Sequence, residues 1–159
     1  MPTPSERTEE EQERLNRQLA ELHQELRIAM PGVQILFGFL LAAAFNQRFG
    51  ELDHWQQSVY LVALVCSALA TAFFIAPTAY HRITFRQGEK RQLIRTATRM
   101  AIAGLVLLAV AMTGAVLVVT SFIFSETTAV VVSAGVFAVF AWLWFGYALS
   151  RRFQGDRST

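Results

Sequence analysis

Residues 100–124 read MAIAGLVLLAVAMTGAVLVVTSFIF, an unbroken apolar run without one charged side chain. A helix needs about 20 predominantly apolar residues to cross the hydrocarbon core of a bilayer, and this run supplies them outright. A helix of a soluble bundle would instead carry a polar stripe along one face. Three further apolar stretches accompany it, at Pro31–Phe45, Val59–Ala79 and Thr127–Ser150, each bounded by polar or charged connectors. The first reaches spanning length when its polar end, Asn46 to Phe49, is counted at the headgroup level. Composition agrees: 53% of the residues are hydrophobic and 16% charged, against roughly 25% charged in ordinary soluble domains. The expected fold is all-α, a four-helix transmembrane bundle with spans at about 31–49, 55–79, 97–124 and 127–150. Residues 1–30 are expected to form a cytoplasmic amphipathic helix, and 151–159 a cytoplasmic tail.

Charge placement gives an orientation, because lysine and arginine near helix ends resist translocation. Arg7, Arg14, Arg17 and Arg27 precede the first span. Arg82, Arg86, Lys90, Arg91, Arg95 and Arg99 lie between the second and third, and Arg151, Arg152 and Arg157 follow the fourth. Arg48 alone stands in the first connector, and the third connector holds no basic residue. Both termini and the central loop are therefore expected on the cytoplasmic side of a cell membrane. The first 30 residues carry seven acids and four arginines, which does not read as a secretory signal. Trp55 and Tyr60, then Trp142, Trp144 and Tyr147, fall where aromatic rings meet the headgroups. Ser125 reads as the cap of the fourth helix, with Glu126 in its positively polarised first turn.

Before Pro31 the pattern changes. Leu15, Leu19, Leu22 and Leu26 make one apolar seam at spacings of four, three and four. So short a helix is marginal alone in water. Its support is the membrane surface, the cytoplasmic ends of the other helices, or the same seam in a second copy. Met30-Pro31-Gly32 reads as a bend, since proline removes an N–H and restricts the residue before it. In the basic loop, Arg82, Arg86 and Lys90, then Arg91, Arg95 and Arg99, recur at spacings of four. Gly88 is expected to separate two helical pieces, and Arg82, Arg86, Lys90, Arg91 and Arg95 are candidate contacts for anionic lipid.

Within the spans, Gln34, Gly38, Ala42 and Asn46 recur every fourth residue, as do Ala63, Ser67 and Thr71; Gly104, Ala111 and Ala115 mark the third helix. Small residues let helices approach and amides bond across the contact. Gln34, Asn46, Ser67, Thr71 and Thr113 are therefore candidate helix contacts or the lining of a polar path. Arg48, Asp53 and His54 form a candidate cluster in the first connector. Carriers of protons keep ionisable groups within their spans, and these stretches hold none in their cores. The single Cys66 reads as a packing residue. His23, His54 and His81 are divided between two sides, so no metal or other cofactor is expected. No catalytic or nucleic-acid-reading motif stands out, and neither enzymatic activity nor a nucleic-acid partner is expected.

The runs Glu25-Leu26-Arg27, Pro31-Gly32-Val33-Gln34 and Phe39-Leu40-Leu41 resemble a bacterial family of small four-span membrane proteins of unknown function. Arg48-Phe49, Val59-Tyr60, Ala76-Pro77, His81-Arg82, Phe85-Arg86, Arg99 and Ala111-Met112 extend the likeness, which covers Glu21 to Val118. Members sometimes carry the label sodium/proton antiporter. Two functions follow as expectations: an accessory or scaffold protein acting as a homo-oligomer, and an oligomeric pathway for ions or small solutes.

Overall fold

The computed structural model describes residues 4–84 and 90–146. Residues 1–3, 85–89 and 147–159 lie outside that description, as do the side chains of Leu15, Leu19, Leu22, Arg82, Lys90 and Arg91. The expectations for Arg86, Gly88, Tyr147 and the tail therefore fall outside it. Four helices account for nearly all described residues: α1 Pro4–Ala44, α2 His54–Thr84, α3 Lys90–Ile123 and α4 Glu126–Ala141. A short 3-10 helix at Gln47–Glu51 joins α1 to α2, and a π turn at Trp142–Gly146 continues α4. Each of the four contains a stretch long and apolar enough to cross a membrane: Gln24–Ala44, His54–Ala79, Ile94–Ile123 and Glu126–Trp144.

The chain does not leave the helix at Met30-Pro31-Gly32. α1 runs through Pro31 as one helix of 41 residues, about 60 Å at 1.5 Å per residue. The reason lies on the opposite face. Leu26 (7% exposed), Val33 (0%) and Leu40 (7%) are buried against the bundle, while Pro31 and Gly32 are exposed. Anchors on both sides of the proline keep the helix continuous through it, and the carbonyl that loses its N–H partner belongs to Arg27, also exposed. With Ala29 and Leu36 packed beside them, these anchors recur at three and four residues. Leu15, Leu19 and Leu22 occupy the same register, so one heptad seam runs from residue 15 to residue 40. The apolar window accordingly begins at Gln24, seven positions earlier than the sequence-based span.

The core is formed in two clusters. One joins Leu26, Val33, Ala70, Phe74 and Leu108; the other joins Leu40, Tyr60, Ala63 and Val118. The largest contact is between α2 and α3, with α1 against both. Glycine makes that contact close. A Cβ added at Gly104 would lie 2.5 Å from Cε1 of Phe74, and one at Gly114 would lie 3.1 Å from Cβ of Ala63. Between helices in lipid, close packing of this kind drives association, because the surrounding chains are as apolar as the side chains. α4 makes its extensive contact with α3 alone, through Ala129 (0% exposed) and Ser133 (4%). Val130, Val131, Val139 and Leu143 face outward. A helix apolar all round, with one narrow buried stripe, is the pattern of a bundle solvated by lipid.

The start of α4 forms as expected. Ser125 Oγ accepts from the Thr128 N–H at 3.4 Å, and Glu126 occupies the first turn. The 3–4 connection is thereby reduced to Phe124-Ser125, and α3 and α4 are antiparallel neighbours.

Candidate functional site

Both short connectors lie at one end of the bundle, the hairpin end, and polar and aromatic links knit them together. Asn46 Oδ1 accepts from the Arg48 N–H at 3.0 Å and so caps the 3-10 helix. Arg48 Nε reaches Glu51 Oε2 at 3.2 Å; both side chains are over half exposed, so this pair contributes little. The Arg48 guanidinium also lies 4.6 Å from the ring centroid of Phe122, which ties the first connector to the end of α3. Asp53 and His54 are exposed, and neither is hydrogen-bonded to Arg48 among the described residues. The candidate trio is thus three separate side chains at one end.

The polar residue that matters most here is Gln56, which the sequence reading passed over. It is 6% exposed. Its Oε1 accepts from the Asp53 N–H at 2.8 Å, and its Nε2 donates to Ser121 Oγ at 3.0 Å. Ser121 Oγ in turn donates to the Val118 carbonyl at 2.9 Å. One amide therefore covers an orphan N–H at the start of α2 and fastens α2 to α3. The signal was present in Asp53-His54-Trp55-Gln56, where the third residue after a cap reaches back to the cap N–H.

Tyr60 is also inside the bundle, 8% exposed, and not at a lipid-facing headgroup position. Its hydroxyl donates to the Leu40 carbonyl, and its ring meets Phe49 edge-on at 4.8 Å. The hydrogen bond explains the inward turn: the phenol finds an acceptor on α1 while its ring fills the cluster around Ala63. Trp55 and Trp142 are more exposed, at 36% and 67%. Trp144 packs against the core cluster and 4.9 Å from Phe140.

The five candidate polar-path residues do not converge. Ser67 is fully buried, but its hydroxyl donates to the Leu64 carbonyl at 2.8 Å; Thr71 donates to the Ser67 carbonyl at 3.0 Å. Both hydroxyls are thus satisfied within α2. Asn46 caps the connector, as above. Thr113 Oγ1 is buried without a partner, as is Ser133 Oγ. Gln34 is exposed on the outer side of α1, together with Gly38 and Ala42. A Cβ added at Gly38 would meet nothing within 4 Å. The expected packing of this small-residue face against α2 and α3 does not occur within the chain. The heptad seam of leucine and valine takes that place, because it offers larger side chains to both core clusters.

At the other end of the bundle, α2 continues to Thr84 and α3 begins at Lys90. Arg82 lies on the last turn of α2, and Lys90, Arg91 and Arg95 on the first turns of α3. Arg95 and Arg99 are exposed. Glu25 and Arg27 are exposed on α1.

Known proteins add one relationship. No curated protein and no solved structure matches the chain significantly. A family model does match, over residues 8–148, which takes in α4 and most of the N-terminal half of α1 beyond the likeness read from the residues alone. Nothing in that match links the chain to sodium/proton exchange. A chain of four apolar spans, matched from its N-terminal helix through the end of its fourth, belongs to the family of unknown function DUF6328.

Proposed function

We propose that this protein is a non-enzymatic accessory protein of the bacterial cytoplasmic membrane that acts as a homo-oligomer, assembled through the outer face of α1. The supporting observation is the exposed stripe of Gln34, Gly38 and Ala42 within the apolar stretch Gln24–Ala44. An amide facing hydrocarbon without a partner is costly. The same stripe on a second copy supplies a partner amide, and the glycine and alanine one and two turns along let the backbones approach. Such contacts are worth on the order of 1 kcal/mol each in lipid, so several must act together.

Thirteen of the fourteen basic residues fall on the side that the proposed orientation makes cytoplasmic. There Arg82, Arg86, Lys90, Arg91 and Arg95 would meet anionic headgroups, each worth about 1 kcal/mol near the surface. The N-terminal half of α1 stands on the same side.

Dye-labelled protein in liposomes tests the association by energy transfer between copies. Wild type is expected to transfer, and Gly38→Ile and Gln34→Leu to reduce transfer several-fold while leaving helicity unchanged. Wild-type protein that stays monomeric at high protein-to-lipid ratios would sink the reading. The same liposomes report sodium, potassium and proton flux. Flux abolished by Gln34→Leu would move the assignment to an oligomeric transport pathway.

A further inference from the structure

α4 leans on α3 and leaves a gap toward α2. Between the three helices lies a cleft of about 400 Å³. Its floor is Val110, Gly114 and Leu117 of α3; its walls are Val59 and Val62 of α2 and Phe137 of α4. Gly114 lets α2 close on the floor, since a Cβ there would lie 3.1 Å from Cβ of Ala63 and 3.6 Å from Cγ1 of Val59. The lining is almost wholly hydrocarbon. Even Thr113, which lines it, keeps its hydroxyl oxygen buried out of reach. At the top, the Ser58 hydroxyl is engaged by the His54 carbonyl at 2.8 Å.

We infer that this cleft holds one acyl chain of a bilayer lipid from the leaflet at the hairpin end. Depth comes first. Ser58 is four residues into α2, and Val110 is thirteen from the end of α3, so the cleft runs from about 6 to about 20 Å below the helix ends at 1.5 Å per residue. That interval of roughly 14 Å matches one leaflet, half of a hydrocarbon core about 30 Å thick. Chemistry comes second. The cleft is open rather than enclosed and lined almost wholly by hydrocarbon, so a flexible alkyl chain of the surrounding lipid can enter it from the side and follow its walls. Left unfilled, the walls would forfeit dispersion contacts along their whole length. The inference depends on the membrane assignment and not on association through α1.

The test uses the full chain in vesicles of phosphatidylethanolamine and phosphatidylglycerol. A small fraction of the phosphatidylglycerol carries a diazirine on one acyl chain. After illumination, adducts assigned residue by residue are expected at least five-fold enriched at Val59, Val62, Leu117 and Phe137 over the outward-facing Leu69 and Val119. Val110→Trp and Val62→Trp, which fill the cleft from floor and wall, are each expected to remove that enrichment. Val119→Trp, on the outer side of α3, is expected to retain it. Thermal unfolding of each variant separates a filled cleft from a lost fold, and one folded cleft variant suffices. Uniform labelling along the outward surface overturns the inference, as does enrichment unchanged in a folded cleft variant. Chain-to-chain adducts at these positions in place of lipid adducts overturn it too.

Discussion

Leucine at Gly104 is expected to destabilise the bundle by about 1–3 kcal/mol, the usual cost of overpacking a filled core. A Cβ there lies 2.5 and 2.7 Å from ring carbons of Phe74, and Phe74, 1% exposed, sits in the core cluster with Val33 and Leu108. The ring has nowhere to move. Phe74→Ala alone is expected to cost about 2 kcal/mol. In water the figure would be larger, but lipid is as apolar as the core, so the transfer term largely cancels. What remains is a void of roughly 80–100 Å³ at about 24 cal/mol per Å³. The two changes should offset each other: Gly104→Leu with Phe74→Ala places new atoms in the vacated space. A double-mutant cycle by denaturant titration in detergent is expected to give a coupling of at least 1 kcal/mol in the restoring direction. Additive losses would show that α2 and α3 do not meet at this point.

The second large effect concerns α1. Two alanines inserted between His23 and Gln24 turn the helix by about 200°. They carry positions 15, 19 and 22 to the side opposite Leu26, Val33 and Leu40. Seven inserted residues return them to within about 20° of the original face. Leu40 lies in the cluster of Tyr60 and Leu26 in that of Phe74, so α1 and α2 are antiparallel, and the same offset carried further would set positions 16–23 beside 77–84 of α2. Burying each leucine is worth about 1.5–3 kcal/mol in water. The two-residue insertion is therefore expected to release the N-terminal half of α1, with protease cleavage before Gln24 at least ten-fold faster. The seven-residue insertion is expected to cleave near the wild-type rate. Equal rates in all three proteins would mean that the seam rests on nothing in this chain.

The spans were legible because bilayer thickness fixes the length a crossing helix needs, and runs such as 100–124 meet it. The cap at Ser125 was legible because its chemistry is local. Pro31 is a local signal too, yet the helix does not end there, because the buried positions Leu26, Val33 and Leu40 continue across it. Val33 and Leu40 continue the spacing of Leu15 through Leu26, so the seam was readable once followed across the proline. The small-residue face of α1 does not meet α2 or α3 among the described residues. Sequence gives the side of a helix on which small residues lie, not which helix lies opposite. Gln56 and Tyr60 share a further difficulty. Each sits near a helix start where polar and aromatic side chains meet headgroups by default, and only their partners, Ser121 and the Leu40 carbonyl, turn them inward. For α4 the sequence is apolar all round, so nothing in it marks the buried stripe at Ala129 and Ser133.

Four crossings with both short connectors on one side is the claim on which the rest depends, and cysteine accessibility tests it directly. Cys66 is the single native thiol, about 18 Å along α2 from His54 and thus near mid-membrane. A membrane-impermeant maleimide applied to sealed vesicles of known orientation is expected to leave it unlabelled until detergent is added. With Cys66→Ser as background, Gly50→Cys and Ser125→Cys are expected to label from one side and Arg14→Cys from the other only. Rapid labelling of Cys66 in intact vesicles, or labelling of positions 50 and 125 from opposite sides, would contradict the four-span bundle.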